Sequence, residues 1–422
     1  MGRSGEHACG DGSGVTASNE APGAITPAVS PTTLVDAGRR SDWTRGPNMR
    51  AGIVNPPVWH ASTILFDDLA ALEAARVDPD AGLFYGRRGT PTTWALEAAM
   101  TELEPGAAGT RLYPSGVAAI AAALLTVLKA GDHLLMVDTA YEPSRYFAER
   151  TLRPLGIATT YYEPGIGAGI AGLVQPNTRM ILLESPGSLS FEVQDVPAIV
   201  AVAQAHGIAT ILDNTWATPL LFSPIAHGVD FSMQALTKYV AGHSDVMMGS
   251  LTVNAAWFDK LKAQSYRLGF CVAPDDAFLT LRGLRTLDVR LRQQGAGALA
   301  VARWLEGHPQ VDRVLHPALP SHPGHALWVR DFRGASGLFG FTLKQGSRAH
   351  TAALIDHLDH FGIGFSWGGY ESLILPVELD GIRTASAIAY SGTIIRLSIG
   401  LEDAGDLIAD LALGLERYGA QF

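Results

Sequence analysis

Between about Ala107 and Gly249 the chain repeats one pattern: a short apolar run, a turn, then a longer stretch with helical spacing. The runs fall at residues 133–137, 157–161, 180–183, 208–212 and 231–234, and helical stretches such as 196–206 separate them. The runs are mostly apolar and helical stretches separate them, so each strand is expected to be covered on both faces. Strands alternating with helices in this way give an α/β fold with a mostly parallel sheet. Ligands of such sheets sit beyond the carboxyl ends of the strands.

The texture then changes. Residues 277–305 read as a long, arginine-punctuated helix, a spine joining two units. A smaller α+β section follows, with candidate strands at 311–315, 338–343 and 394–398 and helices at 350–360 and 403–418. The first 45 residues are rich in Gly, Ser, Thr, Ala and Pro and have no apolar core of the secretory kind, which predicts a disordered leader. A chain of 422 residues can form two or three structural units. The expected division is a leader at 1–45, an N-terminal segment at 46–106, a ligand-binding domain at 107–285 and a small C-terminal domain at 286–422.

Composition removes several classes of function. A formal net charge of -10 with 17% charged residues lacks the basic face that nucleic acid needs. The longest mostly apolar run, residues 117–128, falls short of the roughly 20 residues that span a bilayer. It predicts a buried helix. Two cysteines, Cys9 and Cys271, support neither a disulfide framework nor a cysteine metal cluster. A reducing, cytoplasmic compartment is the expectation. His316, His322 and His325 share a Pro/Gly-rich loop, but their irregular spacing brings no acidic or cysteine co-ligands, so no metal site is expected. His243 reads as a structural hydrogen-bonding residue.

Three places carry chemistry. Lys238, in Thr237-Lys-Tyr-Val-Ala-Gly-His-Ser-Asp245, follows an apolar run and can reach into a cleft. Burial disfavours its ammonium form, and a neutral amine can join an aldehyde as a Schiff base. Asp213 ends the run at 208–212 and could hold a pyridine nitrogen protonated. Ser115-Gly-Val117 leads into the apolar helix, whose free N–H groups and dipole suit a phosphate. Each has a plainer reading by itself: a surface lysine, an Asx turn or helix cap, and an ordinary strand-to-helix junction.

Together, and in this order, they make the pattern of an aspartate-aminotransferase-like cofactor site. The chain resembles the cystathionine-metabolising pyridoxal-phosphate enzymes, and within them the bacterial cystathionine β-lyases, from about Pro57 to Leu415. The resemblance is carried by Leu83-Phe-Tyr-Gly-Arg-Arg-Gly-Thr90, Asp138-Thr-Ala-Tyr-Glu-Pro-Ser144, the Lys238 segment, Ser366-Trp-Gly-Gly-Tyr-Glu-Ser-Leu373 and Ile395-Arg-Leu-Ser-Ile-Gly-Leu-Glu402.

The resemblance implies an aspartate-aminotransferase-like (fold type I) architecture and pyridoxal 5'-phosphate as cofactor. Lys238 would be both tether and catalytic base, and Asp213 the pyridinium partner. Tyr141 would stack on the ring and act as a second catalytic group, while Gly116, Val117 and Thr237 would hold the phosphate. Tyr85 and Arg87 would reach the phosphate of a neighbouring subunit, making residues 46–106 an intersubunit segment of a homo-oligomer, expected to be a tetramer of site-sharing dimers. Arg396 would clamp the substrate carboxylate, helped by the backbone near Ser366 and Trp367. Taken by themselves, Arg87 reads as a surface arginine and Arg396 as a core-edge salt bridge.

The implied reaction is β-elimination on L-cystathionine or a similar small sulfur-containing amino acid, giving homocysteine or another thiol, pyruvate and ammonia. Trp367, where γ-specific relatives have leucine, and Ser188, where many relatives have asparagine, resemble the β-lyase branch. Arg145 and Tyr146 place no carboxylate where a distal ammonium would need one, which leaves the thiol-bearing tail open. Tyr141 could also deprotonate the incoming amine if its pKa were lowered. The alternatives are a γ-lyase or γ-replacement enzyme and, more distantly, a non-catalytic ligand sensor. A serine hydrolase built on Ser115 lacks the strained nucleophile elbow.

Overall fold

The computed structural model describes residues 29–44, 51–379, 382–385 and 393–422. Seven strands form the larger sheet: β1 Gly109–Tyr113, β2 His133–Val137, β3 Ala158–Tyr162, β4 Thr178–Glu184, β5 Ala209–Asp213, β6 Phe231–Ala235 and β7 Gly249–Val253. Their order is β1-β7-β6-β5-β4-β2-β3, and all pairs are parallel except the two that β7 makes. The five predicted runs are all strands. β1 and β7 were not among them, because each begins with glycine and sets Thr, Ser or Arg among its few apolar residues.

Five further strands form a second sheet: β8 Val311–Leu315, β9 Leu338–Leu343, β10 Phe361–Ile363, β11 Ser372–Val377 and β12 Ile394–Ser398, in the order β10-β11-β12-β9-β8. Each sheet has its own apolar core. The larger is built on Leu134, Leu135, Ile181, Leu183, Ile211 and Leu212; the smaller on Val301, Phe339, Phe341, Ile395 and Leu411. A third cluster, including Leu96, Leu236, Tyr239, Leu281 and Leu291, packs beneath the segment that follows Lys238. The fold is therefore α/β, with a large mostly parallel sheet and a smaller α+β part.

The expected spine is two helices, Pro274–Leu284 and Leu287–Glu306. Gly283 explains the break. A side chain there would begin 2.2 Å from the Ala241 carbonyl oxygen, so the helix turns where it touches the chain after Lys238. Arg290 fills the corner, donating to the carbonyls of Tyr239 and Gly283, both at 2.7 Å. These charge-assisted bonds fix the lysine segment against the second helix.

The expected leader also needs correcting at its described end. Residues 1–28 lie outside the described part, but Pro31–Asp36 is helical, with Ser30 as its N-cap and Leu34 only 1% exposed in the third cluster. Full burial of one leucine is worth roughly 2 kcal/mol, which a Gly/Ser-rich composition does not reveal. No helix among the described residues is long and apolar enough to cross a membrane.

Candidate active site

The carboxyl ends of β4, β5 and β6, the start of the helix Gly116–Val127 and two segments of the smaller sheet enclose a cavity of about 340 Å³. Lys238, Asp213, Tyr141, Gly116, Val117, Thr237, Ser366, Trp367 and Arg396 all line it. Sequence reasoning brought these nine together, and the fold does so from both sheets.

The helix start is shaped by small residues. Ser115 caps it, its hydroxyl accepting the Ala118 N–H at 3.1 Å. The N–H groups of Gly116 and Val117 have no partner among the described residues and open on the cavity. Gly116 is required by packing, since a Cβ there would lie 2.9 Å from that of Ala235. Free N–H groups at a helix start suit a phosphate. Thr237 adds its hydroxyl to the cavity wall, bonded to the Met248 carbonyl at 3.2 Å.

Lys238 follows β6, and its Nζ donates to the Ser366 hydroxyl at 2.9 Å, 5.2 Å from the centre of the Trp367 ring. Burial, then the positive charge of Arg396, lower its pKa to about 8, with Asp213 opposing. About a tenth of the amine is then neutral at pH 7, far more than for a free lysine, which suits a nucleophile and base. Ser366 is a second hub: its carbonyl accepts from Arg396 Nη2 at 3.0 Å. Its φ of 78° is unusual for a residue with a side chain. That backbone turns one serine toward both the amine and the guanidinium.

Asp213 closes β5 and is buried, its Oδ1 accepting the N–H and hydroxyl of Thr215 at 3.1 and 2.6 Å. Burial pushes its pKa up to about 6, with Thr215 and Lys238 pulling it down. A cationic pyridine ring beside it would restore its charge. The donor set thus matches pyridoxal phosphate: free N–H groups for phosphate, an acid for the ring nitrogen and an amine for the aldehyde. Tyr141 stands at the mouth, 45% exposed. Burial and then the Asp213 carboxylate raise its phenol pKa, so the structure gives the opposite direction to the lowered value entertained from sequence.

Tyr85 and Arg87 are the exception. They do not line the lysine cavity but a separate cleft of about 340 Å³, with Glu97, Arg111 and Cys271. Tyr85 is 44% exposed, and Arg87 Nη1 donates to the Tyr266 carbonyl at 2.8 Å.

Glu184 was missed. It closes β4 as Asp213 closes β5, a charged residue ending an apolar run, and that parallel was readable. Arg145 does not line the cavity; it pairs with Asp138 at 2.9 Å. His243 Nδ1 lies 2.7 Å from the Ala241 carbonyl oxygen. Leu189, Met247 and Phe365 give the cavity apolar walls, and Phe365 is 91% exposed.

Comparisons with known proteins agree with this geometry. A cystathionine beta-lyase of Escherichia coli is 48% identical over 395 residues, covering 92% of this chain and 98% of that one. An L-alanine/L-glutamate racemase of Wolbachia pipientis is 43% identical over 397 residues, covering 91% and 96%. A crystal structure of cystathionine gamma synthase from Xanthomonas oryzae, in complex with aminoacrylate and cysteine, superposes with a TM-score of 0.84 at 34% identity, covering 94% of this chain and 100% of that one. Residues 32–416 match the family described as Cys/Met metabolism PLP-dependent enzyme, and the chain belongs to that family.

Proposed function

We propose that the protein is a carbon–sulfur lyase that cleaves the Cβ–S bond of L-cystathionine or a similar β-thioether amino acid. The observation that carries this reading is the placement of Lys238: a half-buried amine bonded to the hydroxyl of Ser366, whose carbonyl takes Arg396, with Asp213 lining the same cavity. The 48% identity to a cystathionine beta-lyase supports the substrate.

Arg396 pairs with the substrate α-carboxylate, its planar fork matching the two oxygens. That fixes the Cα–H bond over Lys238. Bound pyridoxal phosphate supplies an electron sink for the Cα electron pair and is held by Lys238, Asp213, Thr237 and the N–H groups of Gly116 and Val117. Once the substrate's own amine had replaced it on the cofactor aldehyde, the freed, neutral Lys238 amine would take the Cα proton. The Cβ–S bond then breaks with its electron pair leaving on sulfur, and a proton from Lys238 or the Tyr141 phenol completes the thiol. Water releases pyruvate and ammonia. Trp367 and Leu189 give the cavity apolar walls that limit water beside the reacting atoms.

Tyr85 and Arg87 complete the phosphate site of a neighbouring subunit in this reading. The exposed apolar side chains of Val54, Leu65, Leu69 and Val77 support such an arm. The assembly would be a cytoplasmic homotetramer built from dimers that share sites, with residues 46–106 at the shared face. The remaining proposed divisions are a cofactor domain at 107–285 and a small domain at 286–422.

Product analysis with L-cystathionine tests the reading. Equimolar pyruvate and homocysteine are expected. Accumulation of 2-oxobutyrate and cysteine would replace β- by γ-cleavage. Because a racemase is also 43% identical, L-alanine and L-glutamate are assayed in parallel for loss of optical rotation. Racemisation without pyruvate from cystathionine would overturn the lyase reading.

A further inference from the structure

Glu184 and Asp213 end neighbouring parallel strands in register, and both buried side chains face the lysine cavity. Two carboxylates side by side in a dry site repel, so the pair favours one negative charge over two. Hydrogen bonds reach both carboxyls, and the nearby cation divides the roles. Asp213 receives both donors of Thr215 and the field of Lys238, which support charge on that side. Glu184 makes no ion pair among the described residues: Oε2 accepts the Tyr141 N–H at 2.7 Å, and Oε1 meets the Ser188 hydroxyl. The other groups facing the pair are Lys238 after β6, Arg396 on β12 and the Tyr141 phenol.

We infer that Glu184 is a positioning residue that works uncharged: its carbonyl oxygen holds the Tyr141 backbone, its O–H donates to Ser188, and Asp213 alone carries negative charge beneath the cofactor ring. The inference rests on the cofactor placement proposed above. Burial and then Asp213 push the Glu184 carboxyl well above the ordinary carboxylate range, against the hydrogen bonds from Ser188 and the Tyr141 N–H. Tyr141 and Ser188 come from two different loops, and one carboxyl fastens both at the cavity wall. The substrate therefore meets a tyrosine whose backbone is set by β4.

Glutamine reproduces this pattern, with Oε1 toward the Tyr141 N–H and Nε2 toward Ser188; leucine deletes it. In the holoenzyme, Glu184→Gln is expected to leave the pH midpoint of the lysine-bound cofactor's visible band within about 0.3 units. It should also keep kcat/KM within about ten-fold, whereas Glu184→Leu loses about a hundred-fold through a displaced Tyr141. Infrared spectra of cofactor-free and loaded wild type should contain a protonated-carboxyl C=O band that Glu184→Gln lacks. A midpoint lowered by about one unit or more in Glu184→Gln, as loss of an anion near a cation demands, would overturn the inference. So would an unchanged carboxyl band. If Glu184→Leu does not fold, the Glu184→Gln midpoint and band still decide. If wild type shows no lysine-bound cofactor band, the cofactor placement fails, and the infrared test on cofactor-free protein still judges Glu184.

Discussion

The lysine cavity and the segment around Tyr85 carry the same kind of side chains in opposite states. In the cavity, Asp213 is buried, Lys238 and Arg396 are half-buried, and each polar head has a hydrogen-bond partner on a neighbouring segment or turn. Along residues 51–88 most side chains are exposed, and the helix Leu69–Val77 has no buried residue at all. The first region is organised by the chain's own sheets. The second has shape without a core, as the proposed pairing with another copy requires.

The largest effect should come from the centre of the organised region. Lys238→Ala is expected to abolish the visible absorbance of lysine-bound cofactor and to cut pyruvate formation by at least about 10⁴-fold, since base and tether vanish together. Turnover near the wild-type rate with cofactor bound would remove the basis of the contrast.

A hybrid experiment asks next whether the exposed segment serves another copy. Arg87→Ala alone should weaken cofactor affinity about 10- to 100-fold, the worth of charge-assisted bonds to phosphate. Mixing Arg87→Ala chains with Lys238→Ala chains, after dissociation and reassembly, should recover about a quarter of wild-type activity. Half of the randomly paired dimers are hybrids, and each hybrid has one site with an intact lysine and an intact arginine. No recovery would mean that Arg87 serves its own chain or no site.

Within the cavity the electrostatic balance can be read by titration. Lys238 sits at about 8 because burial and Arg396 disfavour its charge while Asp213 favours it. In cofactor-free protein, Arg396→Met should raise the pH midpoint of Lys238 reductive methylation, and Asp213→Asn should lower it. Equal midpoints in all three proteins would show an amine already bathed in solvent.

These regions also differed in how far they could be read in advance. Runs such as 133–137 and 180–183 gave the parallel strands because apolar residues covered on both faces leave an unbroken signature. Lys238, Asp213 and Gly116 were legible through their places at strand and helix ends. Glu184 was not singled out, because its use depends on a cross-strand neighbour 29 positions away and on two loops that only the fold brings together. The break at Gly283 was hidden for a related reason: a glycine inside a helical pattern says nothing of the carbonyl that will press against it. Leu34 lay within a sequence too polar to announce a buried turn of helix.

The smallest effect separates the regions most cleanly because the local chemistry is matched. Ser115 and Asp68 are both helix N-caps, accepting the N–H three residues on at 3.1 and 2.7 Å. Removing either hydrogen bond costs its own helix about 1 kcal/mol. The helix after Ser115 buries Ala119, Ile120, Ala122, Ala123 and Leu124, so fraying it exposes the large core and is felt by the whole fold. The helix after Asp68 buries nothing within its own chain, so its fraying costs the global transition nothing. Ser115→Ala should therefore lower the unfolding free energy in denaturant by about 1 kcal/mol. Asp68→Ala should leave it unchanged in cofactor-free protein diluted until the subunits separate, and lower it only at concentrations where they associate. An equal loss for both variants in the separated chain would show that the arm is already part of the folded core, and the division between a self-sufficient cavity and a partner-dependent segment would fail.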